Sequence, residues 1–233
     1  ALLHAVGHDL DHSHAQTRAQ RRARKAAGGT LARGTSFLGV VVAASGGKDS
    51  VVCVELAIEV AGKLGLLAVE VCTRDEEAGF PDTFESLERM AQRTKEINFR
   101  WFCQGQPMLN VFDRAHPYWW CHDPQIPPAG WMRPPPAWAE QIEEKAIDHM
   151  VSPARYPIDW AVPGQAWDAR DARQKLVIVT GLRVQESVKR LLGLFSAGGP
   201  ISVSNQLGVH MLRPIYDWEE GDVWRYIREK DLD

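Results

Sequence analysis

Six adjacent residues, Ser45-Gly46-Gly47-Lys48-Asp49-Ser50, combine the side-chain types needed to hold a phosphate group. Gly46 and Gly47 let the backbone turn through positive φ and admit an anion closely. Ser45 and Ser50 add hydroxyl donors, and Lys48 adds a cation. Asp49 is out of place beside an anion unless it holds Mg²⁺ or caps a helix. The segment 37–44 just before is an uninterrupted apolar run rich in valine, the pattern of a buried parallel strand. Residues 51–63 then read as a buried helix. A strand, a glycine turn and a helix aim the helix's unpaired N–H groups and its positive dipole end at an anion. The loop is not a Walker A sequence. The near match Gly29-Thr-Leu-Ala-Arg-Gly34-Thr35-Ser36 has Thr35 where lysine is required, and it precedes the strand.

Further candidates lie downstream. Arg183 and Arg190 carry planar guanidinium forks that suit phosphate or sulfate oxygens; the alternative is a surface ion pair with Glu186. Asp75 and Glu76 follow a strand and could bind Mg²⁺ or substrate, or merely cap the helix at Pro81. Cys121 sits between Trp120 and His122. A neighbouring imidazolium would lower its pKa and make it a sulfur acceptor; the other reading is a buried structural thiol, which Cys53 and Cys72 also suggest. The four cysteines would suffice for an iron–sulfur cluster by count, but their wide spacings argue against one. His4, His8 and His12 share one helical face, as a solvated stripe more readily than as a metal site. Arg18, Arg21, Arg22, Arg24 and Lys25 form a basic run that is either a wet face or a contact for nucleic-acid phosphates.

The elements that must position these residues follow from pattern. A helix is expected over 3–27, ended by Gly28-Gly29. Strands are expected at 37–44, 66–72, 99–103 and 175–180, and helices at 51–63, 81–97, 184–194 and 217–229. This alternation predicts an α/β fold: a twisted parallel sheet with right-handed crossovers and helices on both faces, Rossmann-like. Between 117 and 167 lie ten of the 14 prolines and six of the 9 tryptophans. That stretch is too aromatic for disorder and reads as a long ordered excursion, interrupted by a helix at 137–149. Its tryptophans either stack on a base or build a local core. No internal repeat is evident.

The 233 residues, 45% hydrophobic and 24% charged, suit one large domain or one with an appendage. The division expected is a helical arm at 1–36 and a nucleotide-binding domain at 37–233, with 117–170 inserted. A net charge of −3 neither excludes a nucleic-acid partner nor argues for one. No apolar stretch is long enough to span a membrane, and no secretory signal is visible. With no C-x-x-C pair either, a cytoplasmic protein with free thiols is expected.

The loop 45–50 resembles the S-G-G-x-D-S loop of the PP-loop ATP pyrophosphatases, which grips the pyrophosphate part of ATP. Three further segments resemble the branch of that superfamily related to phosphoadenosine phosphosulfate (PAPS) reductase. These are Arg74-Asp75-Glu76-Glu77-Ala78-Gly79-Phe80-Pro81-Asp82-Thr83, Gly181-Leu182-Arg183-Val184-Gln185-Glu186-Ser187-Val188-Lys189-Arg190, and Arg213-Pro214-Ile215-Tyr216-Asp217-Trp218 leading into Asp222-Val223-Trp224. The resemblance covers roughly 37–230 and is weakest at 104–172. It departs from the reductases in two respects. Their Glu-Cys-Gly-x-His cysteine tail is not found up to Asp233, and Glu76-Glu77 replaces their Thr-Gly. The Asp-Glu-Glu variant, the stretch from Tyr118 to Pro124 and Trp131-Met132-Arg133-Pro134 look more like the ATP pyrophosphatase components of DNA phosphorothioation systems (Ssp and Dnd types).

The resemblance implies an adenine nucleotide α-hydrolase-like fold that cleaves ATP to AMP and pyrophosphate. It implies ATP and Mg²⁺ as ligands. Ser45, Gly46, Gly47, Lys48 and Ser50 would hold pyrophosphate with Arg183 and Arg190, and Asp49 would orient the metal. Lys48, Asp49, Arg183 and Cys121 would be the catalytic set, with Asp75 and Glu76 as further metal ligands. The activated acceptor would be a DNA-backbone phosphate destined for sulfur insertion. DNA, a cysteine desulfurase and other phosphorothioation proteins are then the implied partners. A homodimer is the oligomeric expectation. Two other readings stand beside this one: PAPS or adenylylsulfate reduction, and a nucleotide-binding regulator without turnover.

Overall fold

The computed structural model describes residues 39–66, 68–142, 176–203 and 210–232. The expected arm at 1–36, with its histidine stripe and basic run, lies outside them, as do most of the 137–149 helix and residues 143–170 of the insertion.

Valine-rich β1 (Gly39–Ala43) is the centre of the sheet. It pairs in parallel with β2 (Val69–Asp75) on one side and with β7 (Leu176–Val179) on the other. β3 (Ile97–Gln104) pairs in parallel with β2, and the short β6 (Glu140–Ile142) extends the sheet beyond β3. On the far side of β7 lies β9 (His210–Leu212), which pairs antiparallel with the edge strand β8 (Ile201–Val203). The seven strands run in the order β6-β3-β2-β1-β7-β9-β8. A separate hairpin joins β4 (Gln106–Leu109) to β5 (Tyr118–Cys121). The expected α/β fold with a mostly parallel sheet is what the chain forms.

Helices α1 (Lys48–Lys63) and α2 (Pro81–Ala91) cross between β1, β2 and β3. Helix α4 (Glu220–Lys230) packs on α1. α3 (Val188–Ser196) follows β7 after a 3-10 turn at Val184–Glu186. The core alternates along each strand as a sheet buried on both faces requires. Val42, Val71, Trp101 and Val179 face α1, α2 and α4 in one cluster with Val52, Phe84, Leu87 and Val223. Val41, Cys72, Phe102 and Ile178, pointing the other way, are buried as well. Among the described residues no helix is long and apolar enough to cross a membrane.

Several boundaries differ from expectation, for physical reasons. α1 begins at Lys48, three residues early, because extended Gly47 (φ −81, ψ 159) serves as its N-cap. Lys48, Asp49 and Ser50 are therefore the first helical turn rather than loop. β2 runs on to Asp75 because Thr73, Arg74 and Asp75 keep pairing with Trp101, Phe102 and Cys103. α2 stops at Ala91, and 92–96 form turns into β3. The helix expected from 137 gives way at its start to β6, whose Glu140 forks onto Arg100 Nε at 2.7 Å and Nη2 at 2.5 Å. The helix expected at 184–194 is broken by extended Ser187, whose hydroxyl caps α3 by accepting from the Arg190 amide at 3.2 Å.

Candidate active site

The order of the strands places the site. From β1 the chain moves outward through β2 and β3; from β7 it moves the other way through β9. Loops leaving β1 and β7 therefore set out from the point where the strand order reverses, where a crevice is expected at the C-terminal ends of the strands. Open α/β sheets bind ligands at such switch points. The loop at 45–47 leaves β1, and the segment 180–187 leaves β7.

Sequence dictates the shape of the loop. Gly46 has φ +77, and a Cβ there would lie 2.5 Å from the Thr83 carbonyl oxygen in the first turn of α2. The Ser50 hydroxyl donates to the Gly47 carbonyl at 2.8 Å and accepts from the Ser45 amide at 3.2 Å. Buried Ser50 thus ties the curl shut, while Ser45 stays partly open. The Ser50 and Val51 amides both donate to the Gly47 carbonyl, at 3.0 and 3.1 Å, which leaves those of Lys48 and Asp49 as the first-turn donors without intrahelical acceptors. Lys48 Nζ stands 3.9 Å from Asp49 Oδ2 and 3.8 Å from Glu220 Oε1, loosely tethered and partly solvated.

Across the crevice, buried Arg183 donates from Nε to Asp49 Oδ1 at 2.9 Å. Gly181 makes that approach feasible: a Cβ on it would meet the Asp49 carbonyl oxygen at 2.7 Å. The Val184 amide donates to the Tyr216 carbonyl at 2.8 Å, and Gln185 Oε1 accepts from the Glu220 amide at 3.0 Å. All four sequence motifs thus meet: the loop touches α2 through Gly46 and the post-β7 segment through Asp49, and that segment holds the start of α4. Glu220 was not among the candidates, since a lone glutamate at a helix start gives no sequence signal.

The other candidates fall elsewhere. Arg190 is half exposed and pairs with Glu186, four residues before it across the Ser187 break, the alternative weighed for it. Asp75 is the hub of a second, buried cluster. Its Oδ1 accepts from the Glu77 amide at 2.7 Å, with His122 Nε2 at 3.2 Å; its Oδ2 accepts from Trp101 Nε1 at 2.8 Å and from Arg133. Burial would push this carboxyl up, but the contacts with His122, Arg133, the Glu77 amide and Trp101 override it and hold it at about 2. Buried Glu77, at φ +59, accepts from the His122 and Met132 amides, each at 2.5 Å. Glu76 points to solvent, 3.7 Å from Arg74.

The thiols are buried. Burial pushes Cys121 well above its ordinary value, and the Glu77 carboxylate adds to the shift. Of the two readings weighed for Cys121, this setting is that of the buried thiol: burial first, then the carboxylates of Glu77, Asp75 and Glu76, disfavour its thiolate. Burial likewise drives Cys103 up to about 12, with Asp75 contributing. Two tryptophans of the excursion join local packing: Trp138 meets Trp101 edge-on at 5.7 Å, and Trp131 meets His122 at 4.8 Å, while Trp120 is exposed. Beside this cluster a cleft of about 790 Å³ is lined by apolar residues such as Phe80, Phe84 and Met132, by Arg133, and by the acidic Glu77, Glu85 and Glu88.

No family model matches the chain. It is 24% identical over 199 residues to an uncharacterised protein of Escherichia coli strain K12, YbdN, across 80% of this chain and 47% of that protein. The chain thus spans about half the length of the curated relative it matches. Among solved structures, it is similar to phosphoadenylyl-sulfate (PAPS) reductase from Candida auris in a phosphate complex. The TM-score is 0.44 at 14% identity, over 95% of this chain and 90% of that one. It is also similar to the Candida glabrata FMN adenylyltransferase in complex with FMN and the ATP analogue AMPCPP. Here the TM-score is 0.46 at 12% identity, over 97% and 62% of the two chains. The Methanococcus maripaludis U34-tRNA thiolase NcsA with its [4Fe-4S] cluster gives a TM-score of 0.42 at 12% identity, over 91% and 63%. Likeness at this level bears on neither substrate nor partner.

Proposed function

We propose that this chain is an ATP pyrophosphatase of the PP-loop type, which cleaves ATP between the α- and β-phosphates and passes the adenylate to an acceptor. The observation that carries this reading is the Gly46–Ser50 turn at the switch point, opposed by Arg183. Attack on the α-phosphorus expels pyrophosphate, so the site must hold a leaving group whose negative charge grows. The α1 amides, Ser45 and Lys48 converge where that charge develops. Arg183 holds Asp49 and adds positive charge beside it, while Ser50 keeps the amides fixed in direction.

Mg²⁺ fits one of its expected places and not another. Asp49 Oδ1 is taken by Arg183, which leaves Oδ2 to join phosphate oxygens and water around a hard cation. There the ion would neutralise phosphate charge. Asp75 does not suit Mg²⁺, because its oxygens are saturated and its neighbours are Cys103 and His122. Glu76 stands apart in solvent beside Arg74.

The proposed acceptor is a DNA-backbone phosphate that then takes sulfur supplied through a cysteine desulfurase. The support is the resemblance of 75–77, 118–124 and 131–134 to phosphorothioation components. Of those segments, Glu77 and Met132, Arg133 and Pro134 line the cleft, whose other walls come from the start of α2 and the residues before it. The same assay tests the class and the acceptor. With α-labelled ATP, the products expected are AMP and pyrophosphate, with label reaching DNA when DNA is supplied. ADP would eliminate the class. Sulfite from PAPS with thioredoxin would favour the reductase reading instead.

A further inference from the structure

The buried cluster under the cleft contains five metal-type ligands for which the ATP reaction has no use: Asp75, Glu77, Cys103, Cys121 and His122. The fold brings them from three stretches of chain. Parallel register sets Asp75 opposite Cys103 on β2 and β3. The β4–β5 hairpin sets Cys121 opposite Gln106, just past the end of β3, so His122 arrives at the same strand ends. Cys121 Sγ lies 3.7 Å from the Asp75 carbonyl oxygen. The ligand atoms of Asp75, Cys103 and His122 lie within 4.8 Å of one another, and so do those of Glu77, Cys121 and His122. His122 belongs to both groups, and all five residues are buried.

The imidazole supplies an independent sign of a missing partner. His122 is 2% exposed, and neither of its ring nitrogens makes a hydrogen bond. Nε2 stands 3.2 Å from Asp75 Oδ1 without hydrogen-bond alignment. A neutral imidazole carries one N–H and one lone pair. Of the strong donors nearby, Arg133 Nη2, the Trp101 indole and the Glu77 amide are directed at Asp75, and Arg133 Nη1 at the Pro134 carbonyl, while Arg133 Nε, like the imidazole, makes no hydrogen bond. The lone pair therefore has no strong donor, and buried polar groups left so are uncommon. A cation would satisfy it.

Donor chemistry selects the ion. Imidazole and two thiols suit Zn²⁺ and disfavour Mg²⁺ or Ca²⁺, which take oxygen ligands. We propose that this cluster binds one thiophilic divalent cation of the Zn²⁺ class through His122, Cys121 and a carboxylate oxygen of Glu77, which already stand together, with Cys103, which stands with His122 in the other group, drawn in as the fourth ligand. Glu77 is the better carboxylate because each of its oxygens accepts a single amide, whereas those of Asp75 are crowded. Asp75 then acts beside the ligands as the acceptor that orients them. Zinc ligands lie about 2.0–2.3 Å from the ion, so the cluster would contract on binding. Such an ion would bolt the 118–133 excursion to the ends of β2 and β3 and set the walls of the cleft. This site does not rest on the ATP reading.

The test is metal content and Co²⁺ spectroscopy on the full chain. Elemental mass spectrometry of protein purified without chelator should find one zinc per chain. Metal-free protein titrated with Co²⁺ should develop thiolate-to-Co²⁺ charge-transfer absorption that saturates at one equivalent and is abolished by added Zn²⁺, while Mg²⁺ leaves it unchanged. Cys121→Ser and Cys103→Ser should each weaken that absorption, while Cys53→Ala keeps it. A folded wild-type chain that binds no zinc and shows no such absorption overturns the proposal, whether or not the serine variants fold. An absorption that persists in both serine variants overturns it too.

Discussion

Gly46 and Gly181 are required by contacts that a methyl group would fill, and this makes the crevice testable one atom at a time. Gly181→Ala would drive a Cβ to within 2.7 Å of the Asp49 carbonyl oxygen. It should cost about 1–3 kcal/mol in urea unfolding, as overpacking does, and weaken nucleotide binding. Unchanged stability and affinity would show that the post-β7 segment does not press on the loop. Gly46→Ala carries two penalties, positive φ and the clash with Thr83, and should cost more than about 1 kcal/mol. Arg183→Ala would leave Asp49 without its partner in a mostly buried setting. A loss of roughly 3 kcal/mol is expected, with Arg183→Lys recovering part of it. Stability unchanged in Arg183→Ala would mean that the pair does not hold the crevice. These contacts were only partly legible in the sequence. Six adjacent residues announce a phosphate loop, but Asp49 and Arg183 are 134 positions apart, and nothing local joins them. Asp75 was noticed for its charge. Its partners Trp101 and Arg133 lie 26 and 58 positions away, so its role as a saturated hub was not.

At the scale of elements, the long apolar runs made β1, β2, β3 and β7 readable. β8 and β9 have three residues each, too few to show a period, and β6 is as short. The β4–β5 hairpin hides behind Pro107 and Pro117 in a proline-rich stretch. The start of α1 was misplaced because Gly47 reads as loop, although its extended backbone makes it a cap. The packing of α4 on α1 offers a test by pH. Tyr226 donates to Glu59 Oε1 at 2.8 Å, and Lys230 reaches the same oxygen at 2.6 Å. Partial burial works against the Glu59 carboxylate, but Lys230 and Tyr226 outweigh it and hold its pKa below the ordinary 4.5. A lowered folded-state value means that the stabilisation exists above the ordinary carboxyl range and fades as pH falls through it. Glu59→Gln should therefore cost less than about 1 kcal/mol at pH 7, since the pair is solvent-screened. The gap from wild type should close in acid below that range. A gap that widens on acidification would reverse the assigned sign.

For the whole molecule, the strand order explains why four motifs far apart in sequence serve one place. The strand order reverses between β1 and β7, and the loop, the post-β7 segment and the start of α4 meet at that point. The first turn of α2 links that crevice to the neighbouring cleft, with Thr83 against Gly46 on one side and Phe80 and Phe84 lining the other. A nucleotide with its phosphates at the loop would thus lie about one turn of α2 from that cleft. The proposed pyrophosphatase activity stands or falls on which bond of ATP breaks. α-Labelled ATP and Mg²⁺ should yield labelled AMP with equimolar pyrophosphate, and Lys48→Ala and Asp49→Ala should each lower kcat/KM by roughly 100-fold or more. Release of labelled ADP, or turnover unchanged in both variants, would contradict it.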